Sequence, residues 1–189
     1  MNDFTHVLTE KFKHRLYDPT LDKECNSAAV LVLFVFENNE WNILYTRRTN
    51  EVRTHQGEVS FPGGAREKND NSVIDTALRE TYEEIGISPK SITILGGLER
   101  YLTITNYCVY PIIGKLDAPY FVNINKNEVE SVFLIPVSWL EDENHIYFKK
   151  HRLNGVATSN VVHYEEYCGE HLWGFTARIT QQVLSQLKS

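Results

Sequence analysis

The residues from Ala28 to Phe36 read Ala-Ala-Val-Leu-Val-Leu-Phe-Val-Phe, with no polar side chain on either alternation. A strand that faces water on one side alternates apolar and polar residues. A run that is apolar at every position, and rich in β-branched and aromatic residues, belongs to a strand buried on both faces. Both sides of the sheet around it must therefore be covered, which requires a layer on each face. Glu37-Asn38-Asn39-Glu40 turns the chain, and Trp41 to Thr46 returns as the hairpin partner.

Further strands are expected over 58–61, 92–98, 107–116, 129–135, 145–149 and 161–164. Phe4, Val7, Leu8, Phe12 and Leu16 recur at helical spacing, so 3–16 reads as an amphipathic helix ending before Asp18-Pro19. Longer helical patterns run over about 72–85 and 176–187, with a short helical turn at Pro136 to Leu140. The expected fold is α/β, a mixed β-sheet in an α/β/α sandwich. No repeat or linker divides the chain, so residues 1–189 are expected to form one domain with 1–20 as an N-terminal helical extension.

Composition narrows the function classes. No stretch approaches the roughly 18 to 20 apolar residues of a membrane span, and the first residues lack a basic segment leading into an apolar run. Cys25, Cys108 and Cys168 are odd in number and in no Cys-x-x-Cys arrangement, so they are expected to be reduced thiols in a cytoplasmic protein. The histidines are scattered without zinc-site spacing, and Ser60 has no Gly-x-Ser-x-Gly elbow. A net charge of -6 argues against nucleic acid as a partner. An acidic chain can still bind a small polyanion through a metal ion or a few arginines. A homodimer is compatible with the sequence.

The helix over 72–85 carries the chemistry. At about 100° per residue, Ile74, Ala77, Leu78, Thr81 and Ile85 share one stripe, while Glu80, Glu83 and Glu84 line its flank. Three carboxylates at i, i+3 and i+4 repel one another unless a cation sits among them. Carboxylates are the ligands that hard divalent cations such as Mg²⁺ take. On a Glu-Glu pair alone, a solvated acidic face would be the ordinary explanation. The surroundings favour a site: Ser72 is placed to cap the helix, Gly86 to end it, and Arg79 to orient the carboxylates. Upstream, Phe61-Pro62-Gly63-Gly64 supplies a loop whose glycines allow close backbone approach.

Gly64 through Ile87 resembles the Nudix box, G-x5-E-x7-R-E-U-x-E-E-x-G-U with U aliphatic. Arg79, Glu80, Glu83, Glu84, Gly86 and Ile87 are in register; Thr81 replaces an aliphatic residue, and Asp70 takes the first acidic position with one extra residue before Arg79. The segment Leu44 to Arg53 followed by Gly57 and Phe61-Pro62-Gly63-Gly64 is similar to that preceding the box in the coenzyme A diphosphatase branch. That branch also carries the extra residue and an Asp at the Asp70 position. Glu128-Val129, Val132-Phe133 and Leu172 to Ala177 are similar to the branch as well.

The resemblance implies a Nudix phosphoanhydride hydrolase using Mg²⁺ or Mn²⁺, with coenzyme A or acyl-coenzyme A as substrate. The products would be 3′,5′-ADP and 4′-phosphopantetheine or its acyl form. It implies Glu80 and Glu84 as metal ligands, Glu83 as ligand or water-positioning residue, Arg79 as orienter and Gly64 as a backbone carbonyl ligand. The proton acceptor is expected to be one of the box glutamates, Glu83 ahead of the others, or Glu128 from a more distant loop. Arg48 and Arg53 are candidates to clamp phosphate oxygens, with surface ion pairs as the alternative use. His55 lies near the same segment. Tyr101, Tyr107 and Trp173 are candidates to stack on adenine, although core packing is the commoner use of such aromatics. The competing readings are hydrolysis of ADP-ribose or dinucleoside polyphosphates, RNA processing, and a non-catalytic nucleotide-binding regulator.

Overall fold

The computed structural model describes residues 2–13, 25–49, 57–153 and 156–188. In chain order the elements are α1 (Asn2–Phe12), β1 (Asn26–Glu37), β2 (Glu40–Arg48), β3 (Val59–Ser60), β4 (Gly63–Ala65), α2 (Val73–Ile85), β5 (Ile92–Gly97) and β6 (Tyr101–Leu102). There follow β7 (Tyr107–Leu116), β8 (Val129–Pro136), α3 (Val137–Leu140), β9 (Ile146–Leu153), β10 (Val156–Tyr164) and α4 (Gly174–Lys188). Among the described residues, no helix is long and apolar enough to cross a membrane.

The apolar run does what its pattern demands. Val32 and Phe34 enter one core with Leu8 and Phe12 of α1 and Ile179 and Val183 of α4. Alternating with them, Leu31, Leu33 and Val35 enter a second core with Val73, Ala77 and Ile85 of α2. The sheet thus carries α2 on one face and α1 and α4 on the other. Phe34 is fully buried, and truncating such a ring to alanine costs about 3–5 kcal/mol. The β1–β2 hairpin turns through Asn38 and Asn39, both with positive φ (54° and 63°), a conformation asparagine tolerates better than most residues.

The sheet is mixed. β1 runs parallel to β7 from Asn26↔Tyr107 to Val35↔Leu116 and antiparallel to β2 only from Leu33↔Leu44 to Glu37↔Glu40. Beyond that point the hairpin forks. β3 pairs with β2 at Thr46↔Ser60, and β4 pairs with β1 at Ala28↔Ala65 to Val30↔Gly63. The Leu31 N–H donates to the Pro62 carbonyl at 2.8 Å between them. β8 covers the far side of β2, while β9 and β10 form a separate two-stranded sheet.

Two expectations are corrected. The first helix ends at Phe12, short of Leu16, and residues 14–20 lie outside the described residues. Cys25 and Cys108 are joined in a disulfide where reduced thiols were expected. Their separation in sequence hides the fact that the parallel β1–β7 register sets Ser27 beside Cys108. Cys168 is free and exposed.

Candidate active site

The forked hairpin delivers the glycine loop to α2. Gly63 has φ of 156°, and a Cβ there would overlap the Ala29 carbonyl and sit 2.7 Å from the Val30 Cα. Only glycine therefore follows this path along β1. A Cβ on Gly64 would collide with the Glu80 carboxylate. The second glycine is what lets the loop backbone lie directly against a side chain of the acidic helix.

Both ends of α2 are specified locally. The Ser72 Oγ accepts from the Asp75 N–H at 3.1 Å, which satisfies an orphan donor of the first turn, and the Asp75 carboxylate accepts from the Asn71 N–H at 3.0 Å, fixing the chain just before the cap. Gly86, at φ of 71°, ends the helix in the left-handed conformation, its N–H bonded to the Tyr82 carbonyl. Thr81, the departure from the aliphatic pattern, is fully buried. Its hydroxyl donates to the Ala77 carbonyl at 2.7 Å, so the helix accommodates it without an orphaned group.

Arg79 organises the carboxylates. Its Nε and Nη2 donate to the two oxygens of Asp70 at 3.0 and 2.9 Å, a bidentate fork. Its Nη1 reaches Glu80 at 3.0 Å and Glu83 at 2.8 Å, and Nη2 also reaches the Ala65 carbonyl at 3.0 Å. Asp70 accepts in addition from Thr76 and from the Glu67 N–H. Chiefly through the Arg79 hydrogen bond, its carboxyl is held down to about 2. The extra residue in the motif is absorbed in the loop before α2, and Asp70 still meets Arg79.

Glu84 is the most deeply buried carboxylate of α2. It is 2% exposed. Among the described residues it receives one ion pair, from Arg48 Nη1 at 3.6 Å, and one long hydrogen bond, from the Gly63 N–H at 3.4 Å. Burial pushes its carboxyl up to about 8; Arg48 and the Gly63 N–H pull against that, while Glu80 and Glu128 add to it. Burial likewise raises Glu80, against Arg79, with Glu83 and Glu128 adding to the rise. Glu128 is thus electrostatically coupled to both. The Arg48 Nε is buried without a hydrogen-bond partner among the described residues. Among the described residues no three His, Cys, Asp or Glu side chains converge on one point as a ready-made cation cage.

Residues 26–153 match the family model of the NUDIX domain. The chain belongs to the Nudix family. It is similar to uncharacterized Nudix hydrolase NudL of Pectobacterium atrosepticum, 34% identical over 162 residues, spanning 85% of this chain and 82% of that one. It is also similar to mitochondrial Nudix hydrolase 15 of Arabidopsis thaliana, 35% identical over 175 residues, spanning 89% of this chain and 60% of that one. Among solved structures, a NUDIX hydrolase from Alicyclobacillus acidocaldarius matches in fold with a TM-score of 0.51 at 16% identity. That match covers 87% of this chain and 93% of the other. A MutT/nudix family protein from Enterococcus faecalis matches with a TM-score of 0.57 at 15% identity, covering 88% of this chain and 63% of that one.

The fold of this Nudix hydrolase brings together Gly64, Asp70, Arg79, Glu80, Glu83, Glu84, Arg48 and Glu128. Arg53 and His55 lie outside the described residues. Two of the aromatic candidates are engaged elsewhere: Tyr101 packs edge-on against Phe175 beneath Arg178, and Trp173 stacks on His151 and His163. Two features have no motif to announce them. Asn125 bonds both to α2 and to Glu128. His151, His163 and His171 form a chain, with Nε2···Nε2 of 2.9 Å and Nδ1···Nε2 of 3.2 Å. His163 uses both nitrogens on different partners, so this is a hydrogen-bonded relay rather than a metal cage. His163 is 3% exposed, and its pKa is lowered by burial first and by His171, His151 and Lys149 beyond that.

Proposed function

We propose that this Nudix hydrolase cleaves the diphosphate of coenzyme A or acyl-coenzyme A, with Mg²⁺ or Mn²⁺, to 3′,5′-ADP and 4′-phosphopantetheine or its acyl form. The observation that carries the metal-dependent part is Glu84, buried, weakly compensated and coupled to Glu80 and Glu128. A carboxylate in that setting suits a hard divalent cation, and the neighbouring groups that could share it, the Glu80 and Glu83 carboxylates and the Gly64 carbonyl, are oxygen donors. Glu80 and Glu84 would hold the ion, with Glu83 and the Gly64 carbonyl assisting. An ion held by these residues would supply charge neutralisation for the anionic substrate and acidification of the attacking water.

The remaining work falls to the chain's own side chains. Arg48, whose Nε has no partner among the described residues, is assigned to the diphosphate oxygens as a fixed fork, and Arg53 is given the same role by the branch resemblance. Arg79, anchored on Asp70, orients Glu80 and Glu83. Glu83 is given to Arg79 and to the ion, so Glu128 is assigned as the proton acceptor in its place. The water oxygen bonds to phosphorus, the bridging P–O bond breaks with its electron pair going to the departing phosphate, and the proton of the water passes to Glu128. The coenzyme A assignment rests on the similarity of Leu44 to Gly64 to that branch.

The test is turnover of coenzyme A, acetyl-coenzyme A, ADP-ribose and diadenosine polyphosphates side by side, with Mg²⁺, with Mn²⁺ and with EDTA. Metal-dependent release of 3′,5′-ADP from coenzyme A well above the other rates is expected. Preference for another substrate would discard the branch assignment and keep the chemistry. No cleavage of any substrate under either metal would leave a nucleotide-binding role instead.

A further inference from the structure

The segment between β7 and β8 is fastened to both halves of the site through one turn. The Asn123 N–H donates to the Ile85 carbonyl at 2.8 Å and the Asn125 N–H to the Glu84 carbonyl at 2.9 Å. These bonds take two of the carbonyls that the end of α2 leaves without intrahelical partners. From the β2 side, the Thr49 N–H donates to the Glu128 carbonyl at 3.0 Å. The Thr49 hydroxyl donates to the Asn127 carbonyl at 3.2 Å. Thr49 follows Arg48, the residue paired with Glu84.

Asn125 stands at the crossing of these connections and uses every polar group it has. Its carbonyl accepts from the Glu128 and Val129 N–H groups at 3.0 and 2.9 Å, closing the turn. Its side-chain oxygen accepts from the Asn127 N–H at 3.2 Å. The side-chain orientation is thereby decided, since only the oxygen can accept from a backbone N–H. The Nδ2 that remains donates to Glu128 Oε1 at 3.2 Å. One residue thus ties the backbone of Glu84 to the carboxylate of Glu128.

We propose that Asn125 is the positioning residue that sets the Glu128 carboxylate beside the α2 carboxylates for proton acceptance, an inference that rests on the hydrolase reading above. Without the Nδ2 donor, Glu128 keeps its place in the chain, but its carboxylate is free to rotate away from the attacking water. Misplacement of a catalytic group by a fraction of an ångström lowers turnover far more than it weakens substrate binding.

The experiment is a double-mutant cycle on coenzyme A turnover with Mg²⁺. Asn125→Asp retains the acceptor for the Asn127 N–H, and so the turn, but loses the donor; Asn125→Ala loses both. Each is expected to lower kcat roughly 10- to 100-fold with KM within about threefold of the parent. Glu128→Gln is expected to lower kcat at least as far, and Asn125→Ala/Glu128→Gln no further than Glu128→Gln alone, because the asparagine acts through that carboxylate. Full kcat in both Asn125 variants, multiplying losses in the double variant, or an unimpaired Glu128→Gln would each overturn the positioning role while the hydrolase reading stands. Failure of the hydrolase reading itself shows separately, as absence of turnover by the parent protein.

Discussion

Replacing Glu84 by Gln should make the protein worse at hydrolysis and better at folding without metal. In the folded protein burial carries this carboxyl from its ordinary 4.5 to about 8, and each pH unit corresponds to about 1.36 kcal/mol. Holding Glu84 ionised in the fold therefore costs on the order of 4 kcal/mol at pH 8. The sign follows from proton counting: between pH 4.5 and 8 the folded state binds more protons than the unfolded one, so this residue's contribution to stability falls as pH rises through that window. Gln is nearly isosteric but must itself be buried, so we expect a net gain of about 2 kcal/mol at pH 8 in EDTA and little gain at pH 4.5. Urea denaturation at the two pH values measures it. Added Mg²⁺ should raise the parent's midpoint and leave the variant's nearly unchanged, while turnover with Mg²⁺ falls roughly 10³-fold. Equal midpoints for parent and variant at pH 8 in EDTA would refute the burial argument, and near-normal turnover would remove α2 from the chemistry.

Arg48→Ala should lower kcat/KM for coenzyme A by roughly 10- to 100-fold, the worth of a charge-assisted hydrogen bond to phosphate; an unchanged value would return Arg48 to the role of a plain ion-pair partner. Reducing the Cys25–Cys108 bond, which links residues 83 apart, removes a constraint on the unfolded chain worth about 4–5 kcal/mol in the loop-entropy model. Urea midpoints with and without dithiothreitol should therefore separate, and those of Cys25→Ser should not. Because His163 has a lowered pKa in the fold, its contribution to stability is whole above pH 6.5 and is lost as pH falls below it. The parent should lose more stability than His163→Gln between pH 7.5 and 5.5, and parallel losses would show that the relay does not respond to acid.

What could be read in advance was local. The apolar run of β1 carries its burial in its composition. The helix α2 announces its start with Ser72, its end with Gly86 and its chemistry with three glutamates on one flank. The fork between β1 and β2 could not be read in this way. β3 falls within the strand expected over 58–61, but β4 is too short and glycine-rich to show a period, and what places both is the divergence of a hairpin whose strands look continuous in sequence. The histidine relay and the Cys25–Cys108 bond are products of register. His163 and His151 are brought near each other by the β9–β10 pairing although His163 stands opposite Tyr147, and Cys108 meets Cys25 because β1 and β7 run parallel. Asn125 carries no signal of its own, since all of its hydrogen bonds but the one to the Glu128 carboxylate go to backbone groups that any residue presents. Thr81, which breaks the motif in sequence, is harmless in the helix because the Ala77 carbonyl takes its hydroxyl.

The Cys25–Cys108 bond closes a covalent ring around β1, β2, the glycine loop and α2. Arg48, Gly64, Asp70, Arg79 and all three helix glutamates lie inside it, while Glu128 and Asn125 lie outside. A protease that cuts once within the ring leaves the molecule in one piece, running near its intact mass on a non-reducing gel and separating into two fragments only when a thiol is added. A cut between Cys108 and Glu128 instead leaves two fragments with no covalent link, Glu128 on one and α2 on the other, whether or not thiol is added.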